Sequence, residues 1–185
     1  MPRRHATLPT AIGDLLVVAD GDALAGIYFP AHWHPPVAGS TGSAVDRRAD
    51  ALVGRLGEEL GEYLDGRRTE FDLPLALTGD EFQLSVWRML RGIPYGETTT
   101  YGELADRLGD RNLARRVGGA VGRNPLSILV PCHRVVGADG SLTGYAGGVE
   151  RKRWLLQHEA AQRAGAARQA TLRLTDRPSS LDARA

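Results

Sequence analysis

The chain has 185 residues, of which 42% are hydrophobic and 24% charged, a globular composition that excludes wholesale disorder and leaves room for one large domain or two small ones. Its single cysteine excludes an internal disulfide and fits a reducing compartment. The net charge of +1 conceals −6 over residues 1–81, +5 over 82–163 and +2 over 164–185. A polyanion would therefore be met by the second half, although a solvated surface of chance composition accounts for the same numbers. Nearly all the cations are arginine, Lys152 being the one lysine. No apolar run reaches the length of a membrane span, and the first residues lack the apolar stretch of a secretory signal. The expectation is a cytoplasmic protein.

In chain order, Gly13 to Ala19 and Ala23 to Phe29 read as two strands joined by an Asp20-Gly21 turn. Residues 30–43, rich in Pro, Gly, Ser and His, read as a loop. Val45, Leu52, Leu56, Leu60 and Leu64 have helical spacing, which predicts a helix over Ala44 to Leu64. Phe71-Asp72-Leu73 is strand-like, and a linker follows near Leu77 to Asp80. A helix is expected over Glu81 to Leu90, stopped by Ile93-Pro94-Tyr95-Gly96. Thr98 to Thr100 can cap a short helix from Tyr101 to Leu108. After Gly109 to Asn112 a second helix, about Leu113 to Val121, runs to Gly122-Arg123-Asn124-Pro125. The pair has the helix-turn-helix signature, and equally that of an αα-hairpin with no nucleic-acid role. Ser127 to Val130 reads as a strand, Gly137 to Gly140 as a hairpin-like turn, and Gly148 to Ala164 as a final helix. Residues 165–185 show no periodicity and read as a flexible tail.

The cysteine lies in Pro131-Cys132-His133-Arg134-Val135. A lone cysteine is ordinarily a small buried hydrophobe. Around it occur, in order, Phe82-Gln83 with Val86-Trp87, Ile93-Pro94-Tyr95-Gly96-Glu97-Thr98, Tyr101-Gly102, Arg115-Arg116-Val117-Gly118-Gly119-Ala120, Asn124-Pro125 and Gly144-Tyr145-Ala146-Gly147-Gly148. Together these segments resemble the methylated-DNA–protein-cysteine methyltransferases, also called 6-O-alkylguanine-DNA alkyltransferases. The resemblance is dense over residues 80–160 and loose before them.

The resemblance implies an α+β protein: a small ribonuclease-H-like N-terminal domain over residues 1–77, and a mainly helical, winged-helix-like domain with a helix-turn-helix over 78–164. It implies single-turnover transfer of an alkyl group from the 6-oxygen of guanine in DNA to Cys132. A free thiol is only a few per cent ionised at neutral pH, so a base must assist. His133 would be that base, acting through a water, with Glu159 orienting the imidazole as in a catalytic triad. Tyr101 would donate to the guanine ring. The carbonyls of Cys132 and Val135 would accept from its amino group, and the Ala146 N–H, beside Tyr145, would face its oxygen. Relatives often carry Ser where this chain has Ala146.

The target must leave the duplex. Arg115 matches the arginine that fills the vacated stack, with Arg116 as its neighbouring rival. Gly118, Gly119 and Ala120 would let the reading helix approach the minor groove, or merely pack against the protein. Asn124 would tie that helix to the cysteine loop, where a plain turn residue is the alternative. No cofactor is implied. No metal is expected either, because His32 and His34 lack a third partner and the N-terminal zinc cysteines of some relatives are absent. The expected partner is double-stranded DNA carrying 6-O-alkylguanine, with no membrane and no obligate protein partner evident. The rivals are a lesion-binding protein without transfer chemistry, which Cys132 speaks against, a helix-turn-helix regulator and a cysteine hydrolase.

Overall fold

The computed structural model describes residues 2–175, with side-chain surroundings as far as residue 168. Two of the N-terminal strands fall where alternation places them. β1 (Arg4–Leu8), β2 (Leu15–Asp20), β3 (Ala23–Tyr28) and the short β4 (Ser43–Ala44) form one sheet in the order β3-β2-β1-β4. The first three are antiparallel neighbours, and β4 runs parallel to β1. Sequence patterning misses β1 because its first residues are Arg4 and His5. The sheet tolerates them since Arg4 reaches the carboxylate of Asp50 and the Gly21 carbonyl, while Ala6 and Leu8 face the core.

The helix expected from Ala44 begins later, as α1 (Ala51–Leu64). Asp50 decides the start: its carboxylate accepts from the Leu52 and Val53 N–H groups, the geometry of a strong N-cap. Val53, Leu56, Leu60 and Tyr63 form the buried stripe that lays α1 on the sheet. Phe71 to Leu73 is not a strand. Instead Leu24 of β3 exchanges backbone bonds with the Pro74 carbonyl and the Ala76 N–H (2.8 Å each).

The second part is helical. α2 (Glu81–Arg91) and α3 (Tyr101–Arg107) each open with a capping box, Asp80 with Gln83 and Thr100 with Glu103. A 3-10 turn at Arg111–Leu113 leads into α4 (Ala114–Gly122), which packs on both α2 and α3. β5 (Thr99–Thr100) pairs in parallel with β6 (Val135–Val136), so the Gly137 to Gly140 turn forms without making a hairpin.

The expected strand Ser127 to Val130 is instead a tight turn closed by Val130 N–H on the Leu126 carbonyl (2.9 Å), with Ile128 at φ 73°. Its start is seized by β3: the Ile27 N–H donates to the Pro125 carbonyl and the Ser127 N–H to that of Ile27 (2.7 and 3.2 Å). α5 (Val149–Thr175) overruns its expected end at Ala164. The alanine-rich run from Ala160 has high helix propensity, so the flexible segment expected from residue 165 is helical to 175. Residues 176–185 of that expectation lie outside the described residues. One core runs from the sheet and α1 through Trp87 and Leu104 to Val130 and Leu155. No helix among the described residues is long and apolar enough to cross a membrane.

Asp50→Ala removes a cap and leaves part-buried Arg4 without its carboxylate. The expected loss is about 1–3 kcal/mol of unfolding free energy in urea denaturation, with Asp50→Asn losing less because the cap survives.

Candidate active site

The turn after α4 delivers Cys132 into the interior. The Cys132 N–H donates to the Val130 carbonyl (2.7 Å), and the residue starts a 3-10 turn, Cys132–Arg134. Asn124, buried at the end of α4, fixes this loop through both ends of its amide. Oδ1 accepts from the Leu126 N–H (3.0 Å), while Nδ2 donates to the Val130 carbonyl (2.8 Å) and lies 3.1 Å from Cys132 Sγ. The amide thus bonds to three points of the segment that carries Cys132. Burial pushes the Cys132 thiol up, against the opposing pull of the Asn124 donor and of Lys152. The shift favours the thiol over the thiolate.

Behind it, His133 and Glu159 are completely buried, with His133 Nε2 2.9 Å from Glu159 Oε1. Burial alone would raise the Glu159 carboxyl, but the hydrogen bonds from His133 and Arg134 hold it well below the usual carboxylate range. A carboxylate only accepts, so Nε2 carries the proton and Nδ1 presents its lone pair. Nδ1 is buried and finds no partner among the described residues. Burial also lowers the His133 pKa, keeping the ring neutral and able to take a proton.

The same carboxylate accepts from Arg134 Nε and Nη2 (2.9 and 2.8 Å), from the Tyr63 hydroxyl and from the Gly96 N–H (2.9 Å). Arg134 also donates to the Ile93 carbonyl (2.6 Å). Sequence reasoning missed Arg134 and Tyr63 as members of this group. Arg134 stands beside His133 in the chain, but Tyr63 lies 96 residues from Glu159 and gives no local signal.

On the open side, the Tyr101 hydroxyl donates to the Thr143 carbonyl at 3.4 Å, a long bond that a better acceptor could replace. Burial raises its pKa, so it remains a phenol and a donor. Lys152 is buried and reaches the Val135 and Thr143 carbonyls (2.6 and 2.9 Å). Burial lowers its pKa to about 8. As the one lysine among arginines it carried a signal that sequence reasoning passed over. The Cys132 carbonyl accepts from the Val135 N–H, so each of these two carbonyls keeps one lone pair for a ligand. Tyr145 turns its ring inward against Phe29 (6.2 Å between centroids), and the Ala146 carbonyl accepts from the Trp33 N–H (3.2 Å). Gly147 is obligatory, since a Cβ there would fall 2.4 Å from the Phe29 ring.

α4 separates its own candidates. The Arg116 guanidinium lies over the Phe82 ring, 3.8 Å from the centroid, whereas Arg115 is exposed with no partner among the described residues. A Cβ at Gly118 or Gly119 would meet nothing closer than 3.4 Å, so packing within the protein does not demand glycine there. Ala120 departs from the expectation: it is buried, and its carbonyl accepts from the Trp87 indole (2.9 Å), so it serves the core rather than the outer face. His32 Nδ1 lies against the His34 backbone, 3.1 Å from its N–H and 3.0 Å from its carbonyl.

Comparison with known proteins accounts for both parts of the chain. Residues 4–77 match the ribonuclease-like domain of 6-O-methylguanine DNA methyltransferase, and residues 81–161 match its DNA binding domain. The chain belongs to the 6-O-methylguanine DNA methyltransferase family. A methylated-DNA–protein-cysteine methyltransferase of Mycobacterium tuberculosis is 44% identical over 163 residues, 84% of this chain and 91% of that protein. One from Shigella flexneri is 54% identical over 107 residues, 57% of this chain and 63% of its own. The crystal structure of Mycobacterium tuberculosis OGT in complex with DNA superposes with a TM-score of 0.77 at 42% identity, covering 86% of this chain and 94% of that one. This member of the family thus has the expected α+β fold, with the helix-turn-helix in its second part.

The depressed Glu159 carboxyl fixes a pH dependence. Its stabilisation is complete above the unfolded-state value, about pH 4.3, and is lost as pH falls below that value. Glu159→Gln leaves Arg134 buried without a counter-charge, at an expected cost of about 3–5 kcal/mol at pH 7. In urea denaturation the gap between wild type and variant should narrow as pH drops from 7 to 3. A constant gap would show that the carboxylate is not the source.

Proposed function

We propose that this chain repairs DNA by direct reversal, transferring a methyl or larger alkyl group from the 6-oxygen of guanine to Cys132 in a single turnover. The observation that carries the reading is the fully buried His133–Glu159 pair at 2.9 Å, which puts the proton on Nε2 and leaves the Nδ1 lone pair, one residue along from the thiol, without a partner among the described residues. An amide donor aimed at the sulfur supports the same reading.

The steps follow from the residues. A water relays the Cys132 proton to His133 Nδ1, and Glu159 stabilises the imidazolium. The sulfur attacks the alkyl carbon in line; the S–C bond forms as the bond to the guanine oxygen breaks. Negative charge developing on the ring is quenched by a proton from Tyr101, which the imidazolium proton ultimately replaces. The Asn124 amide steadies charge on sulfur, the lone pairs on the Cys132 and Val135 carbonyls receive the guanine amino group, and the Ala146 N–H faces the oxygen. Tyr145 supports that loop from beneath. The product is a thioether, and no neighbouring group can expel it, so the protein is consumed. The chemistry calls for no cofactor.

Double-stranded DNA is bound through α4, with Gly118 and Gly119 against the minor groove and Arg115 in the stack vacated by the flipped nucleotide. Two features support this: Arg115 has no partner among the described residues while Arg116 rests on Phe82, and no described residue requires the glycines. We divide the chain into domains at residues 77 and 78, where the two family matches leave a gap. We assign it to the cytoplasm, because a thiol consumed by its own reaction must first be kept reduced.

Incubation with duplex containing 6-O-methylguanine should add one methyl mass to the Cys132 peptide at a stoichiometry of one. Methyl loss from DNA exposed to Cys132→Ser would sink the mechanism. Arg115→Ala should slow repair in duplex by about tenfold or more, the scale of a lost unstacking contact, while slowing transfer from free 6-O-benzylguanine far less. Equal losses with both substrates would refute its flipping role.

A further inference from the structure

Of the three tryptophans, Trp87 is buried and Trp154 stacks on His158 at 4.8 Å, but Trp33 is 59% exposed and contacts no other ring. It is not on a slack loop. Ala31 adopts φ 58°, the His32 N–H returns to the Phe29 carbonyl, and the buried His32 ring packs edge-on against Tyr28 (5.3 Å) while receiving the His34 N–H. The Trp33 N–H is fixed to the Ala146 carbonyl at 3.2 Å. Pinned on both sides, the backbone presents the indole outward.

What it is presented beside is informative. The indole lies directly on Gly144, where a Cβ would stand 3.3 Å from it. Gly144 follows Thr143, whose carbonyl holds the Tyr101 hydroxyl and the Lys152 ammonium. The Tyr101 ring in turn faces Gly118 of α4, at 3.7 Å from a Cβ built there. Gly118, Tyr101, Thr143, Gly144 and Trp33 therefore form one continuous rim. The N-terminal part is otherwise acidic, yet no charged residue occurs between Asp22 and Asp46. Its one long uncharged stretch is the stretch that reaches this rim, so the segment carrying Trp33 brings no carboxylate of its own toward a polyanion.

We propose that Trp33 is a nucleic-acid contact residue: its indole face receives the lesion-bearing strand next to the flipped nucleotide, extending the interface of α4 onto the N-terminal part. The proposal rests on the transfer reading above. An aromatic face suits this position because stacking accepts any base, so the contact is independent of the sequence around the lesion.

The test compares wild type, Trp33→Ala and Trp33→Phe with duplex carrying 6-O-methylguanine and with free 6-O-benzylguanine. Trp33→Ala should lower the transfer rate constant in duplex about tenfold, the scale of one lost stacking contact, and lower it less with the free base. Trp33→Phe should recover most of the loss. The slope of duplex binding against log salt should stay as in wild type, since no charge is removed. Equal losses with both substrates would overturn the proposal by moving Trp33 to the guanine or its alkyl group, and so would an unchanged duplex rate. Wild type that transfers from neither substrate would overturn the transfer reading and this proposal with it, a result distinct from either of the others.

Discussion

A buried carboxylate is among the most expensive groups a small protein can enclose, and Glu159 is enclosed completely. Five N–H and O–H donors from three separate segments meet it: His133 Nε2, Arg134 Nε and Nη2, the Tyr63 hydroxyl and the Gly96 N–H. Each donor fixes one element against α5: the cysteine turn, the end of α1, and the loop after α2. Because an unpaired charge there would cost several kcal/mol, these elements are held in one arrangement. The N-terminal part is tied to the reaction centre through Tyr63 and through the β3 bonds to Pro125 and Ser127. Its acidic character does not make it an appendage.

Around the sulfur the fold favours restraint over reactivity. Burial favours the thiol and keeps the His133 ring neutral, so in the proposed reaction the proton moves only once substrate is in place. The approach to Cys132 also holds strain. Ile128, β-branched, sits at φ 73°, a conformation worth roughly 1–3 kcal/mol of penalty that Asn124 and the edge of β3 together enforce. The strained turn lets the chain reverse direction and point Cys132 inward within the few residues available after α4.

Local physics made much of the architecture readable. The β2–β3 hairpin follows from alternation around Asp20-Gly21, and α2 and α3 follow from side chains that cap their own first turns. Three of the misreadings share one cause, which is competition from distant groups. Apolar periodicity extended α1 back to Ala44, but Asp50 bonds two N–H groups and pairs with Arg4, so it sets the true start. Ser127 to Val130 has a strand's composition, yet Asn124 and Ile27 take its backbone groups first. β1 carried too many polar residues to stand out, because their partners lie elsewhere in the chain.

Sequence by itself determined the chemistry: a lone thiol next to an imidazole, a glutamate on the last helix, a tyrosine and an arginine upstream, and the small residues of the reading helix. These are matters of residue type and order, which no fold alters. Only the tertiary structure decided which ring nitrogen of His133 carries the proton, that burial favours the thiol, that Asn124 reaches the sulfur, and that Ala120 belongs to the core. It also set Arg115 apart from Arg116, since adjacent residues on a helix differ only in what the rest of the fold offers them, and Phe82 engages one of the two. The reason is common to all of these. Protonation, exposure and pairing are set by dielectric surroundings and by partners up to 96 residues away, which a local reading cannot contain.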